Sequence, residues 1–245
     1  MMKKSIWFLI ILVLVQVFLL YPSYGGIFDK IFKKFGGSAD TTLNENRIIS
    51  ALKEAISIGS NNAIDSVSKI DGFFANQAIK ILVPEKIKML ADGLGKIGYQ
   101  EKVDDFILSM NRAAEEAAPK ARSLFIDAVK EISFDEAKNI LNGGDTAASD
   151  YFKSKTSDSL YEAFKPVISS HMNDVGVTKY YKDMASKFAS LPFLKSEALD
   201  LDDYVTNKAL EGLFFMIGEE EKKIRSDPAA RVTELLKEVF GRKMN

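Results

Sequence analysis

"NENRIISALKEAISIGSNNAIDSVSKI", Asn44 to Ile70, decides the fold class. Ile48, Leu52, Ala55, Ile56, Gly59, Ala63, Ile64, Val67 and Ile70 recur at steps of one, three and four, with polar and charged residues between them. That is the period of one helix face. The strict alternation of a half-buried strand is absent.

The same period continues along the chain. From Glu101 to Ala118, one face carries Val103, Phe106, Ile107, Met110, Ala114 and Ala117. Before it, Pro84 sits in a helix's first turn, and Gly95 and Gly98 end that helix. Pro119 opens a further helix, with Leu124, Phe125, Ala128, Val129 and Ile132 inward. "SFDE", Ser133 to Glu136, is a capping box for a helix burying Ala137, Ile140 and Leu141. Tyr151 and Phe152 belong to the next helix. Leu160, Phe164, Val167 and Ile168 belong to another, which Pro166 breaks or kinks. Gly176 stops it, and Thr178 caps a helix holding Tyr181, Met184 and Phe188. "LPFLKSEALDLDD" reads as the longest loop. A helix from about Asp203 to Ser226 has the apolar centre "ALEGLFFMIG" and is expected to be central. In "SDPAARVTELLKEVFG", Asp227 caps, Pro228 is at N1, Val232, Leu235, Leu236, Val239 and Phe240 face inward, and Gly241 is at C′. The expectation is an all-α fold: a single compact multi-helix domain of about eight to ten helices after an N-terminal signal segment.

Composition narrows the function classes. The 245 residues are 47% hydrophobic and 27% charged, with a formal charge of -1. That is globular, without the global basic footprint of a nucleic-acid binder. There is no cysteine and one histidine. Disulfides, thiolate metal sites, a cysteine nucleophile, a lipidated N-terminal cysteine and paired-histidine metal sites are excluded. No metal and no cofactor is implied.

"MMKKSIWFLIILVLVQVFLLYPSYGG" has Lys3 and Lys4, an apolar run from Ile6 to Tyr21, then Pro22, Ser23 and Gly25. This is a secretory signal, read as cleaved after Gly25 and delivering the chain to a bacterial periplasm. The alternative is an uncleaved helix anchoring the chain to the inner membrane. Next, "GIFDKIFKKFGG" places Ile27, Phe28, Ile31, Phe32 and Phe35 on one face and Asp29, Lys30, Lys33 and Lys34 on the other. Phe28, Lys30, Ile31, Phe32, Lys33, Lys34 and Phe35 are the candidates for peripheral contact with an anionic membrane surface. The competing reading is a helix packed on the domain. The expected organisation is 1–25 signal peptide, 26–42 amphipathic leader and linker, 43–241 helical domain and 242–245 tail.

Asn142-Gly143-Gly144-Asp145-Thr146 invites a phosphate-loop reading. A P-loop needs Gly-x4-Gly-Lys-Ser/Thr after a strand, and a calcium loop needs alternating acids and a terminal Glu. Neither pattern is present. Asn142 or Gly143 in the left-handed region ending one helix, with Asp145 or Thr146 capping the next, fits better. The ligand-binding candidates are Asn111, Arg112, Asp145, Thr146 and Tyr151. Arg112 is placed to pair with Glu116 at i,i+4, or, if buried, to act as a specificity group. Asp200, Asp202 and Asp203 read as dipole-complementing caps rather than a cation site. Glu219–Lys223 and Glu221–Arg225 read as solvated pairs. His171 lies near a helix end, where the C-terminal dipole favours it. No catalytic residue emerges.

Five strings together resemble the bacterial family DUF4197: "DGFFANQAIKILVPEKI", "DDFILSMNRAAEEAAPKA", "ILNGGDTAASDYFKSKTSD", "GVTKYY" and "DDYVTNKALEGLFFMIGEEEKKIRSDPAARVTELLKEVFG". The resemblance spans roughly Leu43 to Gly241. It implies an exported helical protein without an assigned activity and carries no catalytic residue across. The functional expectation is a non-enzymatic periplasmic protein binding an unknown protein or small-molecule ligand, with no nucleic acid. The alternatives are an envelope protein docked through the leader and an enzyme whose polar site is gathered from distant helices.

Overall fold

The computed structural model describes residues 41–174 and 200–240. The signal, the membrane-surface candidates Phe28 to Phe35 and the expected Thr178 helix lie outside the described residues. Among the described residues every regular element is helical. The α-helices are α1 (Thr41–Val67), α2 (Glu85–Leu94), α3 (Gln100–Ala117), α4 (Ala121–Glu131), α5 (Phe134–Asn142), α6 (Ala147–Asp174), α7 (Leu201–Ser226) and α8 (Glu234–Phe240). The described residues from Arg47 on form one compact unit. No described helix is long and apolar enough to cross a membrane.

About eight to ten separate helices is a correction to make. Among the described residues the helices join into six continuous α-helical runs. α2 passes into α3 through a single π turn at Gly95–Tyr99. Gly95 is helical; the bend falls at Ile97 and Gly98, where Gly98 has φ 93°. Glycine takes that conformation without a Cβ clash. Pro119 sits in a 3₁₀ turn, Ala118–Lys120, that carries α3 directly into α4.

The expected break at Pro166 is absent: α6 runs through it. Proline there cannot donate to the carbonyl of Glu162. Both residues face water, which solvates the orphaned oxygen. The opposite side holds the helix together. Ala148, Phe152, Thr156, Leu160, Phe164, Ile168 and Met172 are all buried, each four residues from the last. Steps of four advance about 40° around the axis, so this ridge winds round the helix. It therefore meets different neighbours along its length: α7, α3, α4 and α5 all pack on α6. α6 is thus the central element. α7 was expected to hold that place; it is largely buried, but Phe215 is 46% exposed.

The main core cluster spans α1 to α7, and a smaller one joins Ala55 of α1, Ile224 of α7 and Leu236 of α8. Phe125 meets Phe152 edge-on at 5.3 Å and Phe214 at 6.1 Å. Ala113, Ala114, Ala117, Ala118 and Ala121 are wholly buried, and these small residues let α3 and α4 approach the central helix closely. α1 ends at Val67, so Ile70 leaves the stripe and is 80% exposed. The C-terminal stretch also differs from expectation. Asp227 caps only the 3₁₀ turn Pro228–Ala230, and Thr233 Oγ1 accepts the Leu236 N–H to start α8. Val232 is exposed, while Arg231 is buried and donates to the carbonyls of Ile224 and Arg225.

Candidate functional site

Gly143 and Gly144 join α5 to α6. Gly143 is extended, φ −79° and ψ −178°, not left-handed. Asp145 and Thr146 do not cap α6 either. Thr146 Oγ1 donates to Asp150 Oδ2 at 3.3 Å. The first orphan N–H groups, those of Ala148 and Ser149, donate at 3.0 Å to the two oxygens of Glu221, a residue of α7. Ser149 Oγ donates to the same carboxylate at 3.1 Å. Arg225, one turn on, donates to Glu221 from Nε and Nη2. Its Nη2 also reaches the Ile140 carbonyl at the end of α5, 2.9 Å away. Helix starts favour anions and helix ends favour cations. One ion pair of α7 therefore holds the end of α5 and the start of α6. The pair is not solvated: its side chains are 10% and 15% exposed. Gly218 allows this closeness, because a Cβ there would lie 3.3 Å from Thr146 Cγ2. Upstream, Glu219 pairs with Lys222 and Glu220 with Lys223, instead of Glu219 with Lys223.

Beside this junction a cleft opens between α1, α6 and α7, containing a cavity of about 30 Å³. That is room for one or two waters. Leu52, Ile56, Phe152, Ile217 and Ile224 form apolar walls, and the small residues Ala55, Gly59 and Ala148 leave the gap. Ser60 donates its hydroxyl to the Ile56 carbonyl. Glu221 and Arg225 stand at the edge. The cleft is the site that the structure assembles. Of the five ligand-binding candidates, none lines it.

Asn111 and Arg112 instead clamp the chain between α1 and α2. Asn111 is fully buried on α3. Its Oδ1 accepts from Ile81 N, and its Nδ2 donates to Ile81 O and Ile107 O. The amide replaces one residue of a neighbouring strand for a segment that has none. Glu115, 5% exposed, accepts from Phe73 N and Phe74 N. Arg112 bridges Glu115 and Asp71, each at 2.6 Å. Those carboxylates, Glu115 first, hold the guanidinium more firmly protonated than usual. The expected Arg112–Glu116 pair does not form: Asp71 and Glu115 both lie on the side where the clamped segment sits. Glu116 faces His171 at 2.7 Å instead, tying α3 to the last turn of α6. Phe73 fits against Gly212, where a Cβ would come within 2.6 Å of its ring.

Tyr151 is half-buried on α6, with Lys155 over its ring at 5.5 Å. Burial, then the Glu136 carboxylate, pushes its phenol above the ordinary range. At the far end of α6, Asp200 caps α7 through Asp203 N, as expected. Tyr161 donates to Asp203 and accepts from Lys165 at 2.7 Å. Ser169 donates to Asp202 Oδ2 at 2.7 Å; Asp202 Oδ1 is buried with no hydrogen-bond partner among the described residues. Lys165 lies 3.9 Å from Asp200 and 3.7 Å from Asp203. Among the described residues no three His, Cys, Asp or Glu side chains could hold a metal.

Sequence reasoning missed Glu115, and it found the Glu221–Arg225 pair but read it as solvated, because the groups these side chains hold lie in other elements. The signal for Glu221 was present but misread: a Glu–Arg pair at i,i+4 in the last turns of an apolar helix.

These features define a class: an all-helical domain built around one long helix, with buried charge pairs fastening its junctions. Residues 42–241 match the family model described as "Protein of unknown function (DUF4197)", and the chain belongs to that family. No curated protein and no solved structure matches the chain.

Proposed function

We propose that the protein is an exported, periplasmic, non-enzymatic binding protein that takes its ligand in the cleft between α1, α6 and α7. The observation carrying this reading is the cleft itself. It has apolar walls, small residues at its base and an ion pair fixing its edge. A pre-formed, mostly apolar concavity with a few placed polar groups is the usual form of a ligand site. The enclosed part here, about 30 Å³, is room only for the tip of a ligand. The placement of the polar residues on α3 and at the α5–α6 corner supports the non-enzymatic part. Asn111 and Glu115 hold backbone, Arg112 pairs with the carboxylates of Glu115 and Asp71, and Asp145 faces Lys222. Export rests on the order of Lys3–Lys4, the apolar run and the small residues to Gly25.

The test replaces Leu52, a wall of the cleft, with its diazirine analogue and, as a control, does the same at the exposed Leu82, in the native host. The expected result is a discrete small-molecule adduct mass at Leu52 only, on a chain recovered from the periplasm and beginning at Gly26. Equal labelling at both positions removes the cleft reading. A chain beginning at Met1 removes the cleaved signal. A reproducible hydrolytic or transfer activity, lost on single polar substitutions, overturns the non-enzymatic part.

A further inference from the structure

We infer that the cleft receives the end of a saturated alkyl chain, a class of ligand that rests on the binding reading above. Three polar side chains border the cleft, and each is already engaged. Ser60 Oγ donates to Ile56 O at 2.7 Å. Glu221 accepts five donors: Ala148 N, Ser149 N, Ser149 Oγ, and Nε and Nη2 of Arg225. Arg225 turns Nε and Nη2 to Glu221 and Nη2 also to Ile140 O. A polar head that engaged Glu221, or Nε or Nη2 of Arg225, would have to break bonds that hold two helix ends. A hydrocarbon breaks none and gains contact with Leu52, Ile56, Phe152, Ile217 and Ile224.

The gap is not imposed by helix packing. A Cβ on Gly59 would meet only Ile224 Cδ1 at 3.5 Å and Glu220 Cβ at 3.6 Å, ordinary contacts. An alanine would fit there, and glycine inside a helix is less stable than alanine. The enclosed volume of about 30 Å³ limits what enters to the last carbon or two. The rest of the chain lies in the open part of the cleft, where head-group chemistry is unconstrained. A free fatty acid and a lysophospholipid therefore share the recognised part.

The experiment titrates the mature protein, ¹³C-labelled at isoleucine δ-methyls, with laurate and separately with lysophosphatidylcholine below its micelle threshold. Ile56, Ile217 and Ile224 are expected to shift with the alkyl ligand. A shift with both indicates recognition of the chain; a shift with one identifies its source. Gly59→Leu fills the cavity and is expected to weaken binding about tenfold or more. Gly59→Ala keeps the fold and weakens it less. The inference is overturned if neither ligand moves these methyls, or if Gly59→Ala and a folded Gly59→Leu both bind as the parent does. A polar adduct at Leu52 with no laurate response leaves the cleft reading standing and removes this one. Absence of both removes both.

Discussion

At the scale of the residue, the two adjacent glycines of the α5–α6 corner are not equivalent. A Cβ on Gly143 would lie 2.5 Å from Ala147 Cβ, inside any real contact. A Cβ on Gly144 would meet nothing within 4 Å. Gly143→Ala is therefore expected to destabilise by about 1–3 kcal/mol, the cost of overpacking. Gly144→Ala is expected to be neutral or to stabilise by up to about 1 kcal/mol, through a less flexible unfolded chain. Urea unfolding of the pair measures both, and equal effects would refute the distinction. The corner was legible in the sequence as a helix junction. Its chemistry was not, because the carboxylate that caps α6 lies 73 residues from Ala148 in the chain. Local pattern finds a cap only when the cap is local.

At the scale of the element, the capping box of α5 shows the opposite case. Ser133 accepts the Glu136 N–H, and Glu136 accepts the Ser133 N–H at 2.9 Å. Every partner lies within four residues, so "SFDE" alone was sufficient. The Ser133 N–H, then Lys155 and the Ser133 hydroxyl, lower the Glu136 carboxyl from 4.5 to about 2. A carboxyl lowered in the folded state stabilises above its unfolded value and loses that contribution as pH falls through its folded value. The stability difference between the parent and Glu136→Gln should thus be constant near neutrality and shrink from pH 4.5 toward 2. Denaturant midpoints across that range check it; a gap that widens on acidification contradicts it. α6 was less legible. Pro166 carries a strong local stop signal, but the buried four-residue ridge on the other side of the helix outweighs one lost hydrogen bond.

At the scale of the whole molecule, the class was legible because helical periodicity recurs in nearly every segment. The central helix was not. A stretch apolar nearly all round, such as "ALEGLFFMIG", signals burial, whereas centrality comes from a ridge that turns to face several partners in succession. The cleft was equally hidden. It is made by what Ala55, Gly59 and Ala148 lack, and small residues on two helices far apart in the chain show no motif. The clamp on α3 was visible only as an unusual Asn-Arg pair; its partners, Asp71 and Ile81, come from an irregular segment that no periodicity describes.

The Glu221–Arg225 junction also changes what the peptide link between α5 and α6 is for. Both helix ends are fastened to α7 by side chains, so chain continuity at Gly144–Asp145 adds little to their placement. A single cut there should yield two fragments that remain one folded particle and separate only in denaturant. Restoring them after separation should need no covalent repair. With Glu221→Ala, the cut pieces should part far more readily than the uncut variant unfolds, which size-exclusion chromatography of nicked protein can follow. Connectivity and cohesion are held by different bonds at this corner, which makes it a place where the chain can be opened, extended or permuted.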